Sequence, residues 1–477
     1  MEPEAIALPV DSRRAKVAGR AAERIVADIV ERGWPVGAVL GSEAELVERY
    51  GISQAVFREA VRLVEHRQVA RMRRGPGGGL VIDEPGIGAV IGALVLYLMR
   101  VDATLDEVFD ARIVLEEIVA ETAPARLSEH DAEVIRGILS TESKPEVHDQ
   151  RQLHTYLARA TANPVLELFV EALSRVAMFY YTDPAAMVTA AFSESVRAHR
   201  HIAAAVLQKK PELARARMRK HLLAEAEWMR AQADSAQTLD PSVALVGPEN
   251  RKRAESVARD IFADILGARL SPGDFVGSEA SLMERHATSR STVREAIRIL
   301  EYQHIALMRR GPNGGLFVTP PNAAAITEIA EIYLRRRGVN FDQLAEVRDG
   351  VEVAILERVS KRLGPAEAES IRTMLDVEAR NGPARAFAEG HDLHAVLASL
   401  AGNRTLELVH RVLLRLAAVL FRRAGGRLVD GHPADPPLAN VEETHRGIAE
   451  ALLAGDADGA VRLMRSHLAD AASGGTT

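Results

Sequence analysis

Residues Gly41–Ile82 read GSEAELVERYGISQAVFREAVRLVEHRQVARMRRGPGGGLVI, and Gly277–Val318 read GSEASLMERHATSRSTVREAIRILEYQHIALMRRGPNGGLFV. About half the positions are identical and the two stretches align without a gap. A period of roughly half the chain is far longer than a solenoid repeat, so the pattern points to duplication of a multi-domain unit. Any fold assigned to one half must therefore serve for the other. At 477 residues the chain has room for several domains, each with its own core.

Within each copy the order of signals is the same. Val17, Ala21, Ile25 and Ile29 recur at helical spacing, and Gly33 with Pro35 ends that helix. Ser42 is placed to cap a second helix, with Glu43 and Glu45 in its first turn, and Gly51 breaks it. Ser53 is placed to cap a third, with Val56, Ala60, Leu63 and Val64 as its buried face. Two helices separated by a tight turn, the second opening on polar side chains, form a helix-turn-helix pattern. The β-prone runs Val69–Arg73 and Leu80–Ile82 around GPGGG then predict a hairpin with an Arg pair at its tip, a wing.

Between the copies the periodicity is helical throughout. Helices are expected over Ile87–Met99, Leu105–Arg126, Glu129–Ile138, Gln152–Thr161, Val165–Tyr181, Ser193–Gln208 and Pro211–Ala233, enough for a bundle. The expected organisation is a winged helix-turn-helix domain at 12–84, an all-helical domain at 86–233, and a Pro- and Gly-interrupted linker at 234–250. A second winged domain at 251–320 and a second helical domain at 321–472 follow. The fold class is mainly α.

Charge is segregated. The net charge is −6, yet residues 12–82 carry about +5 and residues 251–318 about +3, leaving about −14 elsewhere. Two basic modules on acidic supports suit nucleic-acid contact; solvated helix faces would give the same count. The chain has no cysteine, which excludes disulfides and thiolate metal sites. MEPEAIALPVDSRR is acidic and proline-interrupted, unlike a signal peptide, and the apolar run Ile87–Met99 is too short to span a bilayer, so a cytoplasmic location is expected. No phosphate loop, GxSxG or HExxH sequence is present, and no enzyme activity is expected.

The sequence SEAxL, followed by Ser289-Arg290-Ser291-Thr292-Val293-Arg294-Glu295-Ala296, a glycine-rich wing and an all-helical domain, resembles the GntR family of bacterial transcription regulators, in its FadR subfamily with the FCD-type effector domain. The first copy keeps Ser53, Arg58, Glu59 and Ala60 but has Gln54 and Phe57 within the motif. The resemblance implies two winged helix-turn-helix domains, each followed by an FCD-like bundle. It implies a double-stranded DNA operator as partner, bound within the bacterial nucleoid, and a small-molecule effector of organic-acid or acyl type, with no membrane partner. The DNA-contacting positions it implies are Ser289, Arg290, Ser291, Thr292 and Arg294 in the second copy, and Ser53, Gln54 and Arg58 in the first. The wing positions are Arg73, Arg74 and Gly75, with Arg309, Arg310 and Gly311. Arginine can donate bidentately to guanine, whereas Gln54 would favour adenine. Ala44 and Ala280 stand where a base-contacting Arg is common in the family.

The helical domains carry a further matched set. His154, His199 and His221 in the first copy, with His394, His445 and His467 in the second, match the three histidines that hold a divalent metal in many FCD domains. Zinc or nickel suits such imidazole ligands. The family's aspartate, four residues before the first histidine, is replaced by Gln150 and Gly390, with Asp149 and Glu389 one residue further away. Histidines hydrogen-bonded within the bundle, or binding an anionic effector directly, are the alternative. Arg112 and Arg348 are candidates to clamp an effector carboxylate, and Glu116 and Glu352 four residues on would equally make a helical salt bridge. The other histidines, His410 and His286 among them, are expected at the surface.

The expected function is a ligand-responsive repressor formed by tandem fusion of two subunits, working as an intramolecular pseudo-dimer on an imperfect palindrome. A homodimer of fused chains is the alternative assembly. An architectural DNA-binding protein and a metal hydrolase on a DNA-binding scaffold are the alternative functions; a hydrolase needs a general base beside the metal.

Overall fold

The computed structural model describes residues 11–73, 75, 77–142, 151–178, 180, 190–232, 253–309, 311, 314–382, 386, 391–423, 428–429, 432–433 and 441–473. The linker expected at 234–250, the wing residues Arg74 and Arg310, and Asp149, Gln150, Glu389 and Gly390 lie outside these residues.

Helix α1 (Asp11–Glu31) leads through strand β1 (Val39–Gly41) to helices α2 (Glu43–Tyr50) and α3 (Gln54–His66), then to strands β2 (Ala70–Arg73) and β3 (Gly79–Ile82). Ser42 and Glu45 form a reciprocal capping box on α2, and Gly51 ends that helix in the left-handed conformation at φ 62°. Ser53 caps α3 by accepting from the Val56 N–H at 3.3 Å. The buried face of α3 is Phe57, Ala60, Val61 and Val64; Val56 and Leu63 are only partly covered. That corrects the expected face by one step around the helix, and Phe57 is a core residue rather than a change in the reading motif. Strand β1 was not anticipated. It pairs antiparallel with β3, giving a three-stranded sheet of order β1-β3-β2. The close approach of β1 explains Gly79, since a Cβ there would sit 2.5 Å from the Gly41 carbonyl oxygen.

The first bundle follows as α4 (Ile87–Arg100), α5 (Leu105–Arg126), α6 (Glu129–Glu142), α7 (Gln152–Ala160), α8 (Pro164–Met178), α9 (Ala190–Leu207) and α10 (Pro211–Gln232). These match the expected helices to within a few residues at each end. The pattern then repeats as α11 (Arg253–Gly267), β4 (Phe275–Gly277), α12 (Glu279–Arg285), α13 (Arg290–Tyr302), β5 (Ala306–Arg309) and β6 (Gly315–Val318), with sheet order β4-β6-β5. The second bundle holds α14 (Ala324–Arg336), α15 (Phe341–Arg362), α16 (Pro365–Asn381), α17 (Leu393–Leu400), α18 (Arg404–Arg423), α19 (Val441–Leu453) and α20 (Ala457–Ser473). Two-residue strands β7 (Leu428–Val429) and β8 (His432–Pro433) pair between α18 and α19, a small departure from an all-helical domain. Among the described residues no helix is long and apolar enough to cross a membrane.

The bundles meet along α5 and α15, with α18 against α5 and α8 against α15. Their polar contacts are reciprocal. Asn163 donates to the Gln343 carbonyl at 2.8 Å and to the Glu346 carboxylate at 2.9 Å. Asn403, its counterpart, donates to the Glu107 carbonyl at 3.1 Å and the Asp110 carboxylate at 3.3 Å. Thr122 donates to Glu346 at 3.0 Å, and at the matching position Arg358 donates to Asp110 at 2.8 Å. One patch used twice in opposite directions is the signature of an isologous, two-fold interface.

Each winged domain sits against the other half's bundle. The core of the first includes Ile332 of α14, and its edge is tied there by Arg67 to Glu328 and by Arg336 to Glu84 at 3.2 Å. The second is held from α4, where Arg100 donates to the carbonyls of His304 and Thr319. The halves are thus crossed, each winged domain being tied to the first bundle helix of the other half.

Candidate nucleic-acid interface and metal centre

Helices α3 and α13 present the residues singled out for DNA contact. Gln54 and Arg58 are exposed on α3, as are Arg290, Ser291 and Arg294 on α13. Both heads hold their arginines from the preceding helix. Arg58 Nε lies 2.9 Å from Glu43, while in the second head Glu279 receives Arg290 and Arg294, each at 3.0 Å. Pairs this exposed contribute little to stability; they orient the guanidinium groups. Ser289 caps α13 through the Thr292 N–H at 3.3 Å and lies 2.9 Å from the hydroxyls of Ser291 and Thr292. In the wings, Arg73 donates to the Gly77 carbonyl at 2.8 Å, and the Arg309 guanidinium lies 4.3 Å from the centre of the Phe317 ring. Gly75 and Gly311 take positive φ of 97° and 113°, which the wing turns require. Glu43 was read in the sequence only as a first-turn acid, and Glu279 was not singled out. Their second task follows from helix packing that spacing does not show.

The six matched histidines form two clusters. In the first half, Nε2 of His154 and His199 lie 3.1 Å apart, His199 and His221 3.1 Å, and His221 and His154 3.2 Å. All three rings are buried. Helices α7, α9 and α10 supply one ring each, and carboxylates aim two of them from behind. Glu116 of α5 pairs with His154 Nδ1, and Glu142 of α6 lies 2.8 Å from His199 Nδ1. Burial alone would raise the Glu116 carboxyl, but His154 and Arg112 beside it bring it down to about 2. An ionised carboxylate on Nδ1 assigns the proton to that nitrogen and leaves the Nε2 lone pair facing the cluster.

Burial likewise drives His199 down and His221 well below the ordinary imidazole value, so both are held neutral, while Glu116 raises His154. Lone pairs converging at 3.1 Å in a buried space repel unless a proton or cation lies between them. Tetrahedral nitrogen ligands on zinc stand roughly 3.3 Å from one another, close to the spacing present.

The second half repeats this plan with differences. His394 and His467 Nε2 lie 3.1 Å apart, and His445 and His467 3.3 Å. Glu378 receives His445 Nδ1 at 3.0 Å. Burial lowers His394, and lowers His467 to about 2. Glu352 stands 3.0 Å from His394 Nδ1 without hydrogen-bonding alignment, and His410 and Arg348 converge on the same oxygen at 3.0 and 3.2 Å. His410, expected at the surface, is 2% exposed and occupies the place of Val170 in the first half. His286 was also expected at the surface, yet its side chain is largely covered beside Asp264 at 3.5 Å.

Arg112 and Arg348 lie beside their clusters. Arg112 Nε reaches Glu116 at 3.0 Å and its Nη1 reaches Glu225 at 3.4 Å. Arg348 Nη2 stands 3.5 Å from His394 Nε2. Glu142 and Glu378 escaped the sequence reading, although their retention at matching positions was a usable signal; Glu225 has no acidic counterpart and gave none.

A winged helix-turn-helix joined to a helical bundle with a histidine-lined interior defines a class of bacterial transcription regulator with an effector-binding domain. The FCD domain model matches residues 107–224 and 343–470, together more than half the chain, and the model for bacterial regulatory proteins of the gntR family matches residues 253–318. The chain belongs to the FCD-domain regulators of the GntR family, and carries the FCD unit in tandem.

A protein of Escherichia coli (strain K12), named for regulation of the L-lactate dehydrogenase operon, is 25% identical over 223 residues, 46% of this chain and 84% of its own. The HTH-type transcriptional regulator LutR of Bacillus subtilis (strain 168) is 25% identical over 210 residues, 43% of this chain and 92% of its own. Among solved structures, the Streptococcus agalactiae GntR chain matches 44% of this chain and 99% of its own at 21% identity, with a TM-score of 0.32.

Proposed function

We propose that one polypeptide acts as an intramolecular pseudo-dimer of FadR type, binding an imperfect palindromic operator as a repressor and leaving it when a small-molecule effector binds the helical domains. The observation that carries this reading is the reciprocal interface, in which Asn163 and Asn403 make equivalent bonds into the opposite half. Two-fold proteins of this kind place one recognition helix per half-site, about one DNA turn apart.

In this reading Arg290, Arg294, Ser289, Ser291 and Thr292 engage the more strictly read half-site, and Ser53, Gln54 and Arg58 the looser one. The wing residues Arg73, Arg74 and Gly75, with Arg309, Arg310 and Gly311, follow the backbone. Light scattering of the protein–operator complex, with footprinting, tests the assembly. One chain covering both half-sites is expected; two chains on one operator would establish a dimer of fused chains instead.

The histidine clusters are read as sites for a divalent cation, zinc or nickel. Converging buried Nε2 atoms and the carboxylates behind them support this. A cation there would supply a Lewis-acidic centre for an anionic effector group. The chain's own residues orient the rings, exclude water and carry an adjacent guanidinium. Small organic acids are the proposed effector class, in keeping with the L-lactate dehydrogenase operon for which the E. coli relative is named. Elemental analysis of purified protein tests the cation, with two equivalents per chain expected and none after denaturing dialysis against chelator.

A further inference from the structure

The two histidine clusters occupy matching positions but differ in the charged groups beside them. In the first half the guanidinium is already matched by carboxylates. Arg112, 2% exposed, is shared between Glu116 and Glu225. Both oxygens of Glu116 are engaged, one by Arg112 and the other by His154. Glu225 stands on α10 one turn beyond His221, and its second oxygen lies 3.9 Å from His221 Nε2. It bears electrostatically on His154 and His199 as well. This half therefore brings its own carboxylate to the histidines, and its guanidinium is already neutralised.

The second half has Ala471 at the position matching Glu225. Among the described residues Arg348 has Glu352 as its carboxylate partner, and its side chain is 18% exposed against 3% for Arg112. Its Nη2 faces His394 Nε2 at 3.5 Å rather than a carboxylate. His410 adds a second donor to the one Glu352 oxygen that Arg348 already uses, and Glu352 Oε2 and His394 Nδ1 are buried without an aligned hydrogen-bond partner. Buried polar atoms left in that state are costly unless a ligand or a shift of the ring completes them. The first cluster thus has in Glu225 a carboxylate 3.9 Å from a ring nitrogen, and at the matching position the second has an alanine.

We propose that only the second half binds the effector, a small-molecule carboxylate received by Arg348 beside His394, His445 and His467, and that Glu225 closes the first half by standing where that carboxylate would bind. One effector per chain follows. The inference rests on the reading of the histidines as cation sites, and the test separates the two.

The full chain is loaded with Co2+ and titrated with acetate, the smallest carboxylate, while visible absorption is followed and bound cobalt is counted. Two cobalt ions are expected, of which one responds to acetate. Glu225→Ala keeps both ions and doubles the response, because the first site becomes able to accept the anion. Glu225→Gln, which retains the side-chain volume, gives the same direction. Arg348→Gln keeps both ions and weakens acetate binding roughly 10- to 100-fold. Retention of two ions also reports that each variant has folded around its histidines. Equal responses at both ions in the unaltered chain, no response at either, or a Glu225→Ala response still confined to one ion would overturn the inference and leave the cation reading standing. Failure of either cluster to retain cobalt would remove the cation reading itself.

Discussion

Gln54 and Arg290 occupy the same exposed position in the two reading heads, and that one difference carries much of the proposed inequality between half-sites. An arginine can satisfy both acceptors of a guanine edge, whereas glutamine matches adenine. Replacing Arg294 by Ala is expected to cost about 1–3 kcal/mol of specific binding at one half-site. Gel-shift titration against operators mutated base by base checks this, since a uniform loss on all sequences would make Arg294 a phosphate contact. Glu279 orients both Arg290 and Arg294, so Glu279→Ala should relax base preference at that half-site while leaving non-specific affinity equal or higher.

At this scale the sequence was legible where a residue repeated across the copies. The six histidines came together as matched sets because each sits in a short motif kept in both copies, LHxxLA, HRxIA and MRxHL. His410 and Glu225 were invisible to that comparison for a physical reason. Each exists in one half only, and its partner arrives from another helix through tertiary packing.

Among the elements, long amphipathic helices were read to within a few residues, since an apolar stripe at helical period puts its side chains on one face only when the backbone is helical. The three-residue strands β1 and β4 were missed, being too short to show alternation, and they form only because β3 and β6 offer unpaired edges. The helices that carry histidine also predict a pH response. His199, His221, His394 and His467 are all shifted down by burial, so their contribution to stability is present above the unfolded value of 6.5 and is lost as pH falls through that value toward the folded one. His154 is shifted up by Glu116, and contributes in the opposite sense, favouring the folded state as it protonates. The first half therefore carries a compensating group that the second lacks. In chelator-treated protein acidified below 6.5, backbone amides of α17 and α20 should exchange with deuterium before those of α7 and α10. Hydrogen exchange with mass spectrometry reads the order, and simultaneous loss in both halves would show that the pairing of His154 with Glu116 does not distinguish them.

For the whole molecule, the duplication was plain in the sequence, but the crossed seating of the winged domains was not, because no local pattern specifies which bundle a domain meets. The halves are held by contacts that occur in pairs, so weakening one member should unbalance the molecule rather than dissolve it. Asn163→Ala strips Glu346 and the Gln343 carbonyl of a donor, and is expected to cost about 1–3 kcal/mol. Asn403→Ala should cost a similar amount, and the double variant should lose more operator affinity than either, measured by fluorescence anisotropy on an operator carrying both half-sites.

The reciprocal asparagine contacts join parts of one polypeptide, so the pairing of halves needs no encounter between molecules. A regulator assembled from separate subunits thins out with the square of its abundance when the cell holds few copies. In the proposed assembly, a chain that completes its own two-fold arrangement falls only in proportion, and a defective copy has no partner to spoil.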